Sequence, residues 1–182
     1  MPDRLPEYDM LRLISLYKGE QFSETETKAR ALINQFPGEP KLRSILCLTL
    51  AKQGNLEDAT SGYRALLDIV PNDAEANNNL GVILTQRNKH EEAIVSYRRA
   101  IEIKPAYVNA HSNLGDALLH VGRPAEAASA CRQALKIDPN FGPAHNFLGG
   151  ALRALGELDE SVKSYHAALK VMPQSLGRHA LD

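Results

Sequence analysis

The chain has 182 residues, 43% hydrophobic, 24% charged and only 5% aromatic, with no Trp. That apolar share is enough for a packed core and excludes general disorder. Lys and Arg number 21 against 22 Asp and Glu, a net charge of −1, so the basic excess of a non-specific nucleic-acid binder is missing. No apolar run is long enough to cross a bilayer. The start, Met1-Pro2-Asp3-Arg4-Leu5-Pro6, lacks the basic-then-apolar layout of a signal peptide. Two cysteines, Cys47 and Cys131, are too few for a disulfide framework. A soluble, cytoplasmic protein that binds neither nucleic acid nor membrane is expected.

Pro37, Pro71, Pro105, Pro139 and Pro173 stand 34 residues apart, and other residues keep the same phase. The first interval, 6–39, is the least regular, with Thr25 and Ala29 at places that later intervals give to Ala and an aromatic. The second, 40–73, carries Leu46 and Leu50, then Gly54, then Ala59 and Tyr63. The third, 74–107, repeats the series as Leu80-Gly81, Leu84, Asn88, Ala93 and Tyr97. The fourth, 108–141, has Leu114-Gly115, Leu118, Gly122, Ala127 and Cys131. The fifth, 142–175, has Leu148-Gly149, Leu152, Gly156, Ser161 and Tyr165. Residues 176–182 remain as a partial C-terminal extension.

Within each interval the spacing is helical. At about 100° per residue, positions 4, 7, 8 and 11 share one sector of a first helix, and positions 20, 24 and 27 share a face of a second. Large residues alternating with Gly and Ala let two such helices interlock. Gly54, Gly122 and Gly156 suit the left-handed residue that ends the first helix, with Asn88 as the next best choice. Pro124 fits the first turn of a second helix, where its missing N–H does no harm. The periodic prolines close the second helices because they cannot continue them. Ten antiparallel helices follow.

This series resembles the tetratricopeptide repeat family, whose 34-residue helix–turn–helix unit has the pattern W-x2-L-G-x2-Y, A-x3-F, P. The resemblance covers nearly the whole chain. It implies one all-α domain over 1–182, a right-handed superhelical solenoid of five antiparallel helix pairs. The departures stand at position 4, where Arg43, Asn77, His111 and His145 replace Trp. A degraded first unit fits an end repeat, which has one neighbour rather than two.

The resemblance also implies that the first helices line a concave groove that holds a peptide or protein. On the wheel, positions 2, 5, 6, 9, 12 and 13 lie opposite the core face. In the second unit they are Lys41, Ser44, Ile45, Leu48, Ala51 and Lys52; in the third, Glu75, Asn78, Asn79, Val82, Thr85 and Gln86. The fourth gives Asn109, Ser112, Asn113, Asp116, Leu119 and His120, the fifth Pro143, Asn146, Phe147, Gly150, Arg153 and Ala154. The face is polar, mixed in charge and rich in Asn. Asn79 and Asn113 share position 6 and are expected to stack as a ladder whose carboxamides bond a peptide backbone. The N-N-L-G runs there are similar to arrays attached to O-linked N-acetylglucosamine transferases, although Phe147 breaks the ladder. A plainly solvated face explains the asparagines about as well. The clamp for C-terminal carboxylates is poorly matched, since Ser44, Asn78, Ser112 and Asn146 occupy position 5.

No phosphate loop, nucleophile elbow or H-E-x-x-H motif occurs, so no catalytic residue and no cofactor are expected. His111 and His145, both at position 4, read as packing residues rather than metal ligands. Cys47 and Cys131 lie two units apart and are not expected to pair. A non-enzymatic interaction module is the leading function. The alternative is a substrate-recruiting arm of a larger enzyme, such as a glycosyltransferase or sulfotransferase-like protein. The outer edge of the fifth unit, with only 176–182 after it, is expected to continue or to pack against a partner or a second copy.

Overall fold

The computed structural model describes residues 5–171, so the extension 176–182 lies outside the described residues. The described residues form ten α-helices and no strand. They divide into two compact units, one up to Asn88 and the other from Lys89 onwards, a boundary inside the third repeat.

The first unit holds α1 (Glu7–Lys18), α2 (Phe22–Gln35), α3 (Pro40–Lys52), α4 (Leu56–Ile69) and α5 (Ala74–Gln86). Each helix packs on the next, and the first helices α1, α3 and α5 also touch in series. Leu13, Ala29, Leu32 and Leu42 form a buried cluster, with Met10, Ile33, Phe36 and Ile45 packed against it. The second unit holds α6 (His90–Ile103), α7 (Val108–His120), α8 (Pro124–Ile137), α9 (Gly142–Leu155) and α10 (Leu158–Val171). Successive helices pack in the same way, and α7 lies beside α9.

The periodic residues explain both the helices and their ends. Leu50, Leu84, Leu118 and Leu152 are buried, as are Ala59, Ala93 and Ala127. Ser161 takes the place of that alanine by donating its Oγ hydrogen to the Gly149 carbonyl at 2.7 Å. Helices α2, α4, α6 and α8 each stop two residues before their proline. The residue between, Phe36, Val70, Lys104 or Asp138, sits at φ near −130°. A proline ring pushes the preceding residue out of the helical region in this way.

The left-handed turn falls at Gly54, Asn88, Gly122 and Gly156, as the spacing predicts, with φ of 84°, 57°, 73° and 83°. Glu20 occupies the same place in the first repeat at φ 58°. The backbone bonds Gln21 N–H to Leu16 O and Asn55 N–H to Leu50 O then close the preceding helices.

Position 4 has a recurring job. Arg43 Nη2 donates to the Pro37 carbonyl at 3.3 Å. His111 and His145 each set Nε2 at 2.8 Å from the carbonyls of Pro105 and Pro139. Asn77 is too short for that reach and donates instead to Asp73 O at 2.8 Å. The tempting histidine pair is thus occupied with the turns between repeats.

Both cysteines stand against glycines. A Cβ on Gly62 would meet Cys47 Sγ, and one on Gly115 would meet Cys131 Sγ. Both thiols are free and buried. Burial pushes Cys47 up to about 11, against the nearby Arg43 charge, and Cys131 up to about 12, with Asp116 adding to it.

Candidate functional site: the first-helix faces

In the first unit the faces of α1, α3 and α5 line an open pocket of about 360 Å³. Met10, Ile14, Ile45 and Leu48 contribute its apolar lining, and Pro40, Lys41, Ser44, Asp73 and Glu75 complete it. Lys41 and Glu75 are exposed and carry opposite signs. Asp73 is committed to its own helix, because its carboxylate accepts from Ala76 N–H at 2.9 Å and caps α5. Five residues expected on the groove, Lys41, Ser44, Ile45, Leu48 and Glu75, are therefore brought together.

The apolar lining from α1 was missed by the sequence reading. Met10 and Ile14 stand at positions 5 and 9 of the first repeat, equivalent to Ser44 and Leu48. The same wheel applied to that irregular unit finds them.

Asn79 is half-buried and donates from Nδ2 to the Tyr63 hydroxyl at 3.3 Å. That hydroxyl also lies 3.5 Å from Ser44 Oγ and 3.4 Å from Ser44 O. Burial pushes the Tyr63 phenol up, although the hydrogen bonds from Ser44 and Asn79 oppose the shift. Asn78 is buried, with Nδ2 at 3.5 Å from Asn79 Oδ1. Position 5 is thus not an open groove position there, because α5 turns it into the helix packing. Lys52 and Gln86 are exposed at the ends of α3 and α5.

In the second unit Ser112 corrects the expectation in the same way: it is fully buried rather than presented on a groove. Asn109, Asn146 and Arg153 are exposed, and Asn113 is half-buried. Asp116 Oδ1 lies 3.7 Å from His120 Nε2. The His120 ring stacks on His90 with centroids 4.4 Å apart and planes 5° from parallel. Burial raises the Asp116 carboxyl, while the neighbouring His120 and His90 act the other way. No group of three or more His, Cys, Asp or Glu suited to a metal occurs among the described residues. No helix of the described residues is long and apolar enough to cross a membrane.

Two family models match: one described as TPR repeat over residues 81–122, the other as tetratricopeptide repeat over 108–141. A sequence comparison with curated proteins gives no match. Solved structures of the same fold include a crystal structure of MamA, 23% identical with a TM-score of 0.78, covering 87% of this chain and 93% of that one. MamA from Desulfovibrio magneticus RS-1 aligns at 15% identity and a TM-score of 0.81, over 94% and 99% of the two chains. Pseudomonas aeruginosa pilF aligns at 17% identity and a TM-score of 0.82, over 91% of this chain and 75% of that one. These matches lend no support to a special likeness to transferase-linked arrays. Residues 81–141 are tetratricopeptide repeats, and the ten described helices have the fold of a tetratricopeptide solenoid.

Proposed function

We propose that the protein is a non-enzymatic interaction module that holds a peptide or protein segment on its first-helix faces. The pocket between α1, α3 and α5 carries this reading. A pocket with a mostly apolar lining and Lys41 and Glu75 at its edge suits one inserted apolar side chain. The two opposite charges then meet the polar backbone or flanking residues of an extended segment. Exposed groove residues of the other helices, such as Asn109, Asn146 and Arg153, supply polar contacts in their own unit. The asparagine ladder has a smaller part, because Asn79 already serves the Tyr63 hydroxyl.

The test is selection from a random peptide display library, followed by titration calorimetry on the enriched peptides. Enrichment of one large apolar residue at a fixed place is expected. Leu48→Glu should then weaken binding at least tenfold, and Lys41→Glu should change the preferred flanking charge. Equal affinity for the parent and Leu48→Glu, with both equally helical, refutes the pocket as the anchor.

A further inference from the structure

The outward face of α10 differs from those of α4, α6 and α8. The residue at position 21 is 1% exposed at Thr60, 2% at Ile94 and 1% at Ala128, but Val162 is 55% exposed. In α4, α6 and α8 this place is shut by packing against a following first helix, and no described residue does so for α10. Leu158 is 61% exposed and Leu169 42%, and Tyr165 between them is half-buried. Leu158, Val162, Tyr165 and Leu169 are spaced four, three and four residues apart. That is the spacing of a seam on which two helices mesh knobs into holes.

The charges beside the seam indicate what covers it. Asp159 lies in the first turn of α10 and Lys170 in the last, both exposed. They fall on the same flank, about 20° apart on the wheel at 100° per residue. A second α10 laid antiparallel puts the two charged flanks side by side and brings each Asp159 to the other's Lys170, whereas a parallel pair leaves the two flanks on opposite sides of the seam and the charges unmatched. A two-fold axis through the seam centre pairs Leu158 with Leu169 and Val162 with Tyr165 in both directions, so the surface complements itself. We propose that α10 is a self-association surface, on which a second copy of this chain packs antiparallel along the Leu158–Leu169 seam.

Sedimentation equilibrium of the full chain, from about 10 µM to 1 mM, measures the association. A concentration-dependent dimer is expected. Val162→Glu should weaken it at least tenfold at unchanged helicity and melting temperature. Asp159→Lys alone and Lys170→Asp alone should each weaken it several-fold at low salt, and the two together should restore the parent value. A monomer throughout this range means that something else covers the face and overturns the proposal. A dimer indifferent to Val162→Glu overturns it as well. Single charge variants that weaken the dimer without recovery in the double variant refute the antiparallel pairing.

Discussion

Gly115 and Cys131 compete for one space, so changing both should cost less than the separate changes suggest. A Cβ on Gly115 would strike Cys131 Sγ and come within 3.3 Å of Ala127 O. Forcing a methyl into a filled core costs about 1–3 kcal/mol. Replacing a helical glycine by alanine returns about 1 kcal/mol of that. Gly115→Ala alone should therefore destabilise by about 0–2 kcal/mol. Cys131→Ala removes a buried sulfur and leaves a void, a loss of about 1 kcal/mol on the scale of one buried methylene. In the double variant the new methyl enters the space that the sulfur vacates. The collision disappears, the void is largely filled and the helix keeps its gain in propensity. The double variant should be more stable than the sum of the singles by about 2–4 kcal/mol, because it escapes both the collision and most of the void. Urea unfolding followed by circular dichroism supplies the four free energies of the cycle. Additivity within about 0.5 kcal/mol would show that the two side chains do not share this space.

Three further outcomes are expected. Glu20→Gly should raise stability by about 1 kcal/mol, because it removes a β-carbon from a left-handed residue, while Glu20→Ala should bring no such gain; thermal melts of both decide it. Burial holds the Cys47 and Cys131 thiols above the unfolded value of 9, at about 11 and about 12. The folded state thus keeps protons that the unfolded chain releases, so their contribution is complete below pH 9 and fades as pH rises through 11 to 12; Cys47→Ala with Cys131→Ala should flatten that alkaline decline in denaturant titrations. Asn79→Ala should lower stability by about 0.5–1.5 kcal/mol through loss of the bond to the Tyr63 hydroxyl, and in a Tyr63→Phe background the same change should cost markedly less; equal cost in both backgrounds would discount that bond.

The architecture was legible because each of its signals is local and repeated. Proline excludes the helix from the residue before it, glycine and asparagine take the left-handed turn, and small residues mark close approach. These rules place Gly54, Asn88, Gly122 and Gly156 without reference to any distant contact. Glu20 escaped because nothing in a glutamate announces a left-handed backbone; the repeat phase fixes it, and the side chain is tolerated. The groove was read less well. A helical wheel ranks directions from one axis, but burial depends on how neighbouring helices tilt. Asn78 and Ser112 therefore passed for surface residues although they lie within the packing. Ser161 shows the opposite case, a polar residue in a core position that is satisfied by one carbonyl invisible in the sequence. The cysteines were read rightly as unpaired, but their glycine partners emerge only when the helices are set side by side.

The bonds from position 4 to the proline carbonyls bear on how such a chain can change its length. Each joint is made by two repeats together: the earlier one offers the carbonyl and the later one brings the donor, six residues further on. Excising residues 108–141 would join Tyr107 to Gly142 and leave the Pro105 carbonyl six residues before His145. The new joint would have the same parts as the two it replaced. Duplicating the same stretch would likewise create a junction already equipped with acceptor and donor. Unequal crossing-over between repeats could therefore lengthen or shorten the array without inventing a new turn, and a donor as different as Arg43 or His111 would serve wherever it landed.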